Sequence, residues 1–558
     1  MRAIKDKAGS HGPTGLRQVL LLGGAFLGIV LVVLGTRHGP AVSPDSASYI
    51  AAANSLLAGG EYRSYDGEPF AGWPPLYPTL LAVGGVFGMD PMQTVRVLHA
   101  VVFGLIVYGA GRLFFLHLRE PRLAWMGFFA VLLSWPLLQV AMKAWSEPVF
   151  ILVALVFIAY APVLLDRPTW NRLAILAFVT ALAVMLRYAG LALVIAGVAL
   201  ILLDLTQTSM RRRLQFAIGY TVMATVPLML WLIRNYVVDS SLTGGRSVSA
   251  QLGGAAESAS YFLATLTTWL IPPLLPGWLG FVLGICLIAF AGLSFRRQAP
   301  RGSTTFDRVV LTFTGAYAVF VLTASAIQAA ALPDNRLLSP LYVPLVYVVL
   351  TAFDRVLEGR TGSTHRAAAA RKTLFGVCAI WLLYPALSTA TYVFMRASYD
   401  TNAWHESALV HSLKAEPPEG KLYSNSAWVV YLATDRYTRE LPTTDIDGYL
   451  AREMETHGQP CAVVWFDRTG RGTAHAFRFL DDFFGRVASS QDSMATQGWS
   501  RAVLDFMRRS GLARRDDTRA TPLDQTVLRR PPDTEAMIDQ LFDDGALYVF
   551  ASERSSDR

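Results

Sequence analysis

RLAILAFVTALAVMLRYAGLALVIAGVALILL, residues 172–203, is one apolar run of 32 residues interrupted only at Arg187-Tyr188. A straight helix of that length would be about 48 Å long at 1.5 Å per residue. That exceeds the roughly 30 Å hydrocarbon core of a bilayer. Two spans joined by a tight hairpin fit; the alternative, one long tilted helix, flips every later loop. Charge decides between them. With the hairpin, the N-terminus and the segments 117–122, 166–172, 204–213, 295–308 and 354–372 share one side and hold 20 Lys and Arg. The other side holds eight before residue 395: Arg37, Arg63, Arg96, Lys143, Arg187, Arg234, Arg246 and Arg336. A single helix would put Arg211-Arg212-Arg213 and Arg296-Arg297 on opposite sides. Basic residues gather in cytoplasmic loops, so the hairpin reading puts the N-terminus inside and the C-terminus outside.

Working outward, the same reading gives eleven spans, at about 19–36, 95–116, 123–142, 147–165, 172–187, 189–205, 214–234, 278–294, 309–331, 337–353 and 373–394. Each is near the roughly 20 residues that cross a bilayer. The composition agrees, because 53% of the 558 residues are hydrophobic and only 16% are charged. A net charge of +8 invites a nucleic-acid partner, but the basic residues lie between apolar spans, so that partner is excluded. Cys286 and Cys378 fall inside spans and Cys461 in the polar tail, which gives no disulfide framework. The basic stretch before the first apolar run imitates a signal peptide. No small-residue cleavage site follows Gly35 and many spans come after it, so it reads as a retained span.

Residues 396–558 contain no 18-residue apolar run. Strand-like runs at 421–424, 461–466 and 546–550 alternate with helical patterns at 477–484 and 499–509, and 510–533 reads as a loop. The expected fold is a polytopic α-helical membrane protein, N-in and C-out, with a small C-terminal α/β extracytoplasmic domain. Its domains are expected at 1–395, with a first outer loop at 37–94, and at 396–558. There is no internal repeat.

On this topology the notable polar residues converge on the outer face. Asp45 heads an amphipathic segment just past the first span, in Ser43-Pro44-Asp45-Ser46-Ala47-Ser48-Tyr49-Ile50. Lys143 and Glu147 flank the turn between the third and fourth spans. Arg187 tops the hairpin, Arg234 ends the seventh span, and Asp334 and Arg336 join the ninth to the tenth. Two carboxylates and several cations on consecutive outer turns suit glycosyl transfer from a lipid-linked phosphosugar. The acceptor hydroxyl needs a general base, which a carboxylate supplies. The departing polyprenyl phosphate needs fixed cations, and Arg offers a fork matched to phosphate oxygens.

Each residue also has a plainer reading. Asp45 would serve as the N-cap of a helix over 46–57. Glu147 would be an N-cap with Pro148 at the first helical position. Arg234 would reach toward lipid headgroups, and Arg336 would pair locally with Asp334. Trp73 and Trp145 read as interfacial aromatics. Lys143 and His99 carry less weight, and Tyr49, Glu61, Lys143 and Tyr188 are candidate substrate contacts.

Six pieces, in order along residues 15–395, carry a resemblance: Pro-Asp-Ser-Ala-Ser-Tyr at 44–49, Gly-Gly-Glu-Tyr at 59–62, Pro-Pro-Leu-Tyr-Pro at 74–78, Ser-Glu-Pro at 146–148, Leu-Arg-Tyr-Ala-Gly-Leu at 186–191 and Asn-Arg-Leu-Leu-Ser-Pro at 335–340. Their spacing against the spans resembles the GT-C class of polyprenyl-phosphate-dependent glycosyltransferases. Within it the chain looks like the dolichyl-phosphate-mannose protein mannosyltransferase type, which includes the aminoarabinose transferases of lipid A. The tail is similar to the outer domains of bacterial members at 422–427 and 433–436. The resemblance implies that Asp45 holds the first-loop catalytic position and Glu147 the second acidic one. Relatives carry paired acids in that loop; here Asp45 is followed by Ser46 and Ala47. That departure argues against a metal cofactor, and Glu61, Asp66 and Glu147 are the acids that would ligate one.

The expectation is therefore a multi-pass enzyme of the cytoplasmic membrane. It would move a sugar from a polyprenyl-phosphate donor, with Asp45 and Glu147 catalytic and Arg187, Arg234 and Arg336 on the donor phosphate. The acceptor would be a glycan, glycolipid or protein, and the surroundings membrane lipids. The rival is a transporter or flippase for a lipid-linked saccharide. Such proteins often carry internal repeats and midplane polar residues, whereas here the polar residues sit at the outer boundary. A weaker alternative is an inactive scaffold whose outer domain binds a partner.

Overall fold

A computed structural model of the chain describes residues 14–244, 253–272, 277–296, 304–327, 333–358, 365–396, 407–418, 420–442, 449, 461–466, 536–542 and 545–550. The chain forms two compact units, Met1–Val42 with Ala71–Thr401 and Ser43–Phe70 with Asn402–Arg558. The expected first loop at 37–94 is thus shared out, and its residues 43–70 go with the tail.

In chain order the helices of the first part are α1 (Thr14–Gly35), α2 (Pro44–Leu57), α3 (Leu76–Val86), α4 (Pro91–His117), α5 (Pro121–Leu132), α6 (Trp135–Ala141) and α7 (Glu147–Asp166). They continue as α8 (Trp170–Leu186), α9 (Leu191–Asp204), α10 (Met210–Asp239), α11 (Gly253–Leu270), α12 (Gly277–Arg296), α13 (Thr305–Ile327), α14 (Asn335–Leu338), α15 (Tyr342–Glu358) and α16 (His365–Thr391). All but α2 belong to the first unit. Each of the eleven expected spans coincides with a helix or with a broken pair, α5–α6 or α14–α15. Among the described residues nine helices are long and apolar enough to cross a membrane, with α8 and α9 just shorter. The chain is a polytopic membrane protein.

The hairpin in residues 172–203 is present. Arg187 is extended (φ −154°, ψ 143°), which ends α8, and a 3₁₀ turn at Tyr188–Gly190 starts α9. A Cβ on Gly190 would lie 2.4 Å from the Val184 nitrogen, so only glycine fits this close approach. The single long helix does not form. α11 was not expected: its Ser, Thr and Glu257 dilute the hydropathy that marks the spans.

Caps set the helix starts. Ser43, Asp90, Ser134 and Thr169 each accept a backbone N–H in the following turn. Glycines let helices close on one another: a Cβ on Gly104 of α4 would stand 3.0 Å from the Ala25 carbonyl of α1. At the ends remote from Arg187, buried Asp307 accepts from the Tyr347 hydroxyl at 2.6 Å and from Arg355 Nη2 at 3.1 Å. Asp354 there accepts the Arg119 and Glu120 amides at 2.9 and 3.1 Å. Buried polar groups in an apolar bundle need such partners.

The second unit joins α2 to α17 (Ala408–Ala415), α18 (Ala427–Thr434) and a five-stranded sheet. The strands are β1 (Lys421–Ser424), β2 (Thr438–Glu440), β3 (Cys461–Phe466), β4 (Ala536–Phe542) and β5 (Gly545–Phe550), in the order β2-β1-β3-β5-β4. β1 runs parallel to β2 and β3, while β5 is antiparallel to β3 and β4. Leu409, Val410, Leu413, Leu422, Val429, Val430, Ala462 and Val464 form its core. The three expected strands are β1, β3 and β5; β2 and β4 are additions. The patterns at 477–484, 499–509 and 510–533 lie outside the described residues.

Candidate active site

The turn from α6 into α7 carries Lys143-Ala144-Trp145-Ser146-Glu147. It is held by an isolated β-bridge at Ala41: the Ala41 amide donates to Met142 O and the Ala144 amide to Ala41 O, each at 2.9 Å. The chain enters α2 directly from this bridge. Ser146 is the N-cap of α7, without a side-chain cap bond, and Glu147 is the first helical residue. The expected N-cap role of Glu147 is therefore displaced by one position.

Glu147 is fully buried. Its Oε1 meets Arg187 Nη1 at 2.5 Å and also pairs with Arg336 Nε. Arg187 Nη1 donates further to Ser146 Oγ at 3.0 Å. Glu147 Oε2 is buried with no hydrogen-bond partner among the described residues. The Arg336 guanidinium lies 4.3 Å from the Trp145 ring centroid and Lys143 Nζ 4.7 Å from it. Trp145 is thus a buried platform for cations rather than an interfacial aromatic. Glu147 and Asp334 against Arg187, Arg336 and Lys143 leave one positive charge in excess.

Arg336 reaches this place because Asp334 caps α14, accepting the Leu337 amide at 3.0 Å. Tyr317 donates to Leu337 O at 2.9 Å, and Trp269 Nε1 to Asn335 Oδ1 at 2.9 Å. Arg336 thus forms an ion pair with Glu147, 189 residues away in sequence, while its charge also acts on the neighbouring Asp334 carboxylate. His99 is a buried tie, hydrogen-bonded to the Tyr77 hydroxyl at 2.9 Å and Ala141 O at 3.0 Å.

Arg234 is placed differently. Its guanidinium lies 4.7 Å from the Trp231 ring and donates to Asn235 Oδ1 at 3.2 Å. Trp231 and Asn235 in turn hold the segment Ala71–Trp73: Trp231 Nε1 donates to Trp73 O and Asn235 Nδ2 to Ala71 O, both at 3.2 Å. Tyr188 also donates to Ala71 O, at 3.5 Å. Gly244, at φ +69°, presses on the same segment, where a Cβ would lie 2.8 Å from the Gly72 nitrogen. The structure therefore joins Glu147, Arg187 and Arg336, with Lys143 beside Trp145, puts Tyr188 on the loop 71–73, and sets Arg234 against the Trp231 and Asn235 that hold that loop.

Asp45 belongs to the second unit. The cap of α2 is Ser43, whose Oγ accepts the Ser46 amide at 3.4 Å, and Pro44 and Asp45 open the helix. The expected N-cap role of Asp45 is thus taken by Ser43. As a first-turn acid Asp45 still gains from the helix dipole. Tyr49 is buried, with its ring centroid 6.1 Å from that of Phe70. Glu61 is exposed, and its carbonyl accepts from Ser55 Oγ at 2.5 Å. Asn235 and Tyr65 are residues that the sequence did not single out, Trp145 was read only as an interfacial aromatic, and Ser146 entered only as part of Ser-Glu-Pro. Only the adjacency of Ser146 to Glu147 would have pointed to one of these four.

No family model and no curated protein matches the chain. Among solved structures it is similar to ArnT from Cupriavidus metallidurans bound to undecaprenyl phosphate, at 15% identity and TM-score 0.57, over 95% of this chain and 97% of that one. It is also similar to ArnT of the same organism in the apo state, at 16% identity and TM-score 0.53, over 82% of this chain and 94% of that one. A multi-helix bundle with a mixed-sheet domain, matched along nearly its whole length, has the fold of these ArnT structures.

Proposed function

We propose that the protein is an integral membrane glycosyltransferase that moves a sugar from a polyprenyl-phosphate donor to an acceptor on the outer face of the cytoplasmic membrane. The observation that carries the reading is the buried Glu147 with Arg187 and Arg336 on one of its oxygens, set in a fold shared with a protein that binds undecaprenyl phosphate. The excess positive charge suits a phosphate. In this reading Asp45 takes the proton from an acceptor hydroxyl as its oxygen bonds to the anomeric carbon. The bond from that carbon to the phosphate oxygen breaks, and polyprenyl phosphate leaves with the negative charge. Arg187 and Arg336 stabilise that charge where it develops. Glu147, buried and paired, holds the two guanidiniums in place rather than meeting the acceptor.

Tyr188 holds the loop 71–73 directly, Arg234 braces the Trp231 and Asn235 side chains that hold it, and Lys143 adds positive charge beside Trp145. Tyr49 packs within the second unit and Glu61 faces solvent, so neither is assigned a role on substrate. The outer-face assignment rests on the distribution of Lys and Arg between loops. The acceptor is a glycan, glycolipid or protein carrying a free hydroxyl or comparable nucleophile. The test is mass spectrometry of cell-envelope glycans and glycolipids from cells with and without the protein. Loss of one sugar from one envelope component, with its polyprenyl-phosphate form accumulating, is the expected result. An unchanged envelope would overturn the reading.

A further inference from the structure

The helix that carries Asp45 is fastened to the C-terminal domain by side chains that the reaction above does not use. Ala47 and Ala51 of α2 share a buried cluster with Tyr65, Ala427 and Tyr431. Asn54 Nδ2 donates to the Tyr431 hydroxyl at 3.3 Å. The Tyr65 hydroxyl donates to Glu440 Oε2 at 3.3 Å, and the Thr438 amide donates to Tyr65 O at 2.9 Å. Arg439 pairs with Glu68 at 3.1 Å. The short ribbon closed by the Arg63–Pro69 bridge is thereby laid along β2, with Tyr65 between strand and helix.

We propose that the C-terminal domain is the positioning element for Asp45, and that Tyr65 is the positioning residue through which β2 and α18 hold α2. The proposal rests on the reading of Asp45 as general base. The Tyr65 ring fills the cluster that seats Ala47, two residues after Asp45, while its hydroxyl is fixed on Glu440. Successive helical residues point about 100° apart, so a small rotation of α2 would swing Asp45 away from its working direction. Misplacement of a catalytic group by about 1 Å can cost on the order of a hundredfold in rate. Burial pushes the Tyr65 phenol above its ordinary range, and the negative charges of Glu440, Asp66 and Asp45 add to that. Tyr65 therefore keeps its proton and stays a donor to Glu440.

The test uses the full-length protein in lipid nanodiscs, with Tyr65→Phe, Glu440→Leu and Glu440→Gln. Phe keeps the ring and removes the donor; Leu removes the acceptor; Gln keeps an acceptor oxygen. Hydrogen–deuterium exchange is read over residues 44–57. The rate of polyprenyl phosphate release from an envelope lipid extract is read at saturating and limiting extract. Tyr65→Phe and Glu440→Leu are expected to speed exchange in 44–57 and to lower the saturating rate about tenfold. The extract concentration giving half the maximal rate should stay unchanged, and Glu440→Gln should recover most of the rate. Unchanged exchange in 44–57, or faster exchange with a wild-type saturating rate, overturns the positioning role. Asp45→Asn in the same assay separates the two readings. Wild-type release by that variant removes the base and the catalytic part of this proposal with it. An inactive Asn variant beside unchanged exchange in Tyr65→Phe overturns the positioning role alone.

Discussion

Two guanidiniums on one buried carboxylate oxygen make Glu147 the residue least able to change without consequence. Removing one partner of a buried ion pair typically costs about 3–5 kcal/mol, because the other charge is left uncompensated. Glu147→Leu is therefore expected to lower the melting temperature strongly, as read by thermal denaturation in detergent, and to abolish transfer. Arg187→Lys keeps the charge but loses the planar guanidinium, whose Nη1 meets both Glu147 and Ser146 and whose other nitrogens could bind a phosphate in a forked pair. It should keep the fold and raise the donor concentration needed for half-maximal transfer; equal performance by Lys would mean that only charge is required. At Asp45 the structure separates two effects, since the cap is Ser43. Ser43→Ala should cost about 1 kcal/mol of stability and leave most of the transfer. Asp45→Asn should leave stability almost unchanged and lower transfer by about 10²–10⁴-fold.

The element that decides the bundle is the α8–α9 hairpin. Gly190→Ala would force a Cβ against the backbone of α8 at Val184, so folded protein recovered by size-exclusion chromatography should fall sharply. A wild-type yield would mean that the turn relaxes without cost. The hairpin was legible because hydropathy and length are local properties, and Arg187-Tyr188 breaks the run where the turn must come. The same holds for the other spans and for β1, β3 and β5. The cap of α2 was not legible, because Ser43 and Asp45 are both good capping residues two positions apart. α11 was missed for its polar dilution. The pairing of Arg336 with Glu147 joins chain segments 189 residues apart, and a nearer acid, Asp334, offered a plausible local partner. The attachment of Ser43–Phe70 to the C-terminal domain is likewise a long-range contact that no local pattern announces. It is where Tyr65 acquires its importance.

For the whole molecule, the proposed orientation would put the candidate residues in one compartment, outside the cytoplasm. Alkaline phosphatase folds and works only outside the cytoplasm. A fusion after Ser240, at the end of α10, should be active, and one after Arg213, at its start, inactive. The reverse pattern would put Glu147, Arg187 and Arg336 on the cytoplasmic side. The central claim is that this protein breaks a sugar–phosphate bond on a lipid rather than carrying the intact lipid across the membrane. The most direct measurement follows the donor itself. Purified protein in proteoliposomes is given polyprenyl-phosphate sugars extracted from the envelope together with envelope acceptors, and free polyprenyl phosphate is quantified by mass spectrometry against the Asp45→Asn variant. Acceptor-dependent release of polyprenyl phosphate by the wild type, lost in the Asn variant, is the predicted result. Intact donor appearing in the opposite leaflet with no release would contradict the account.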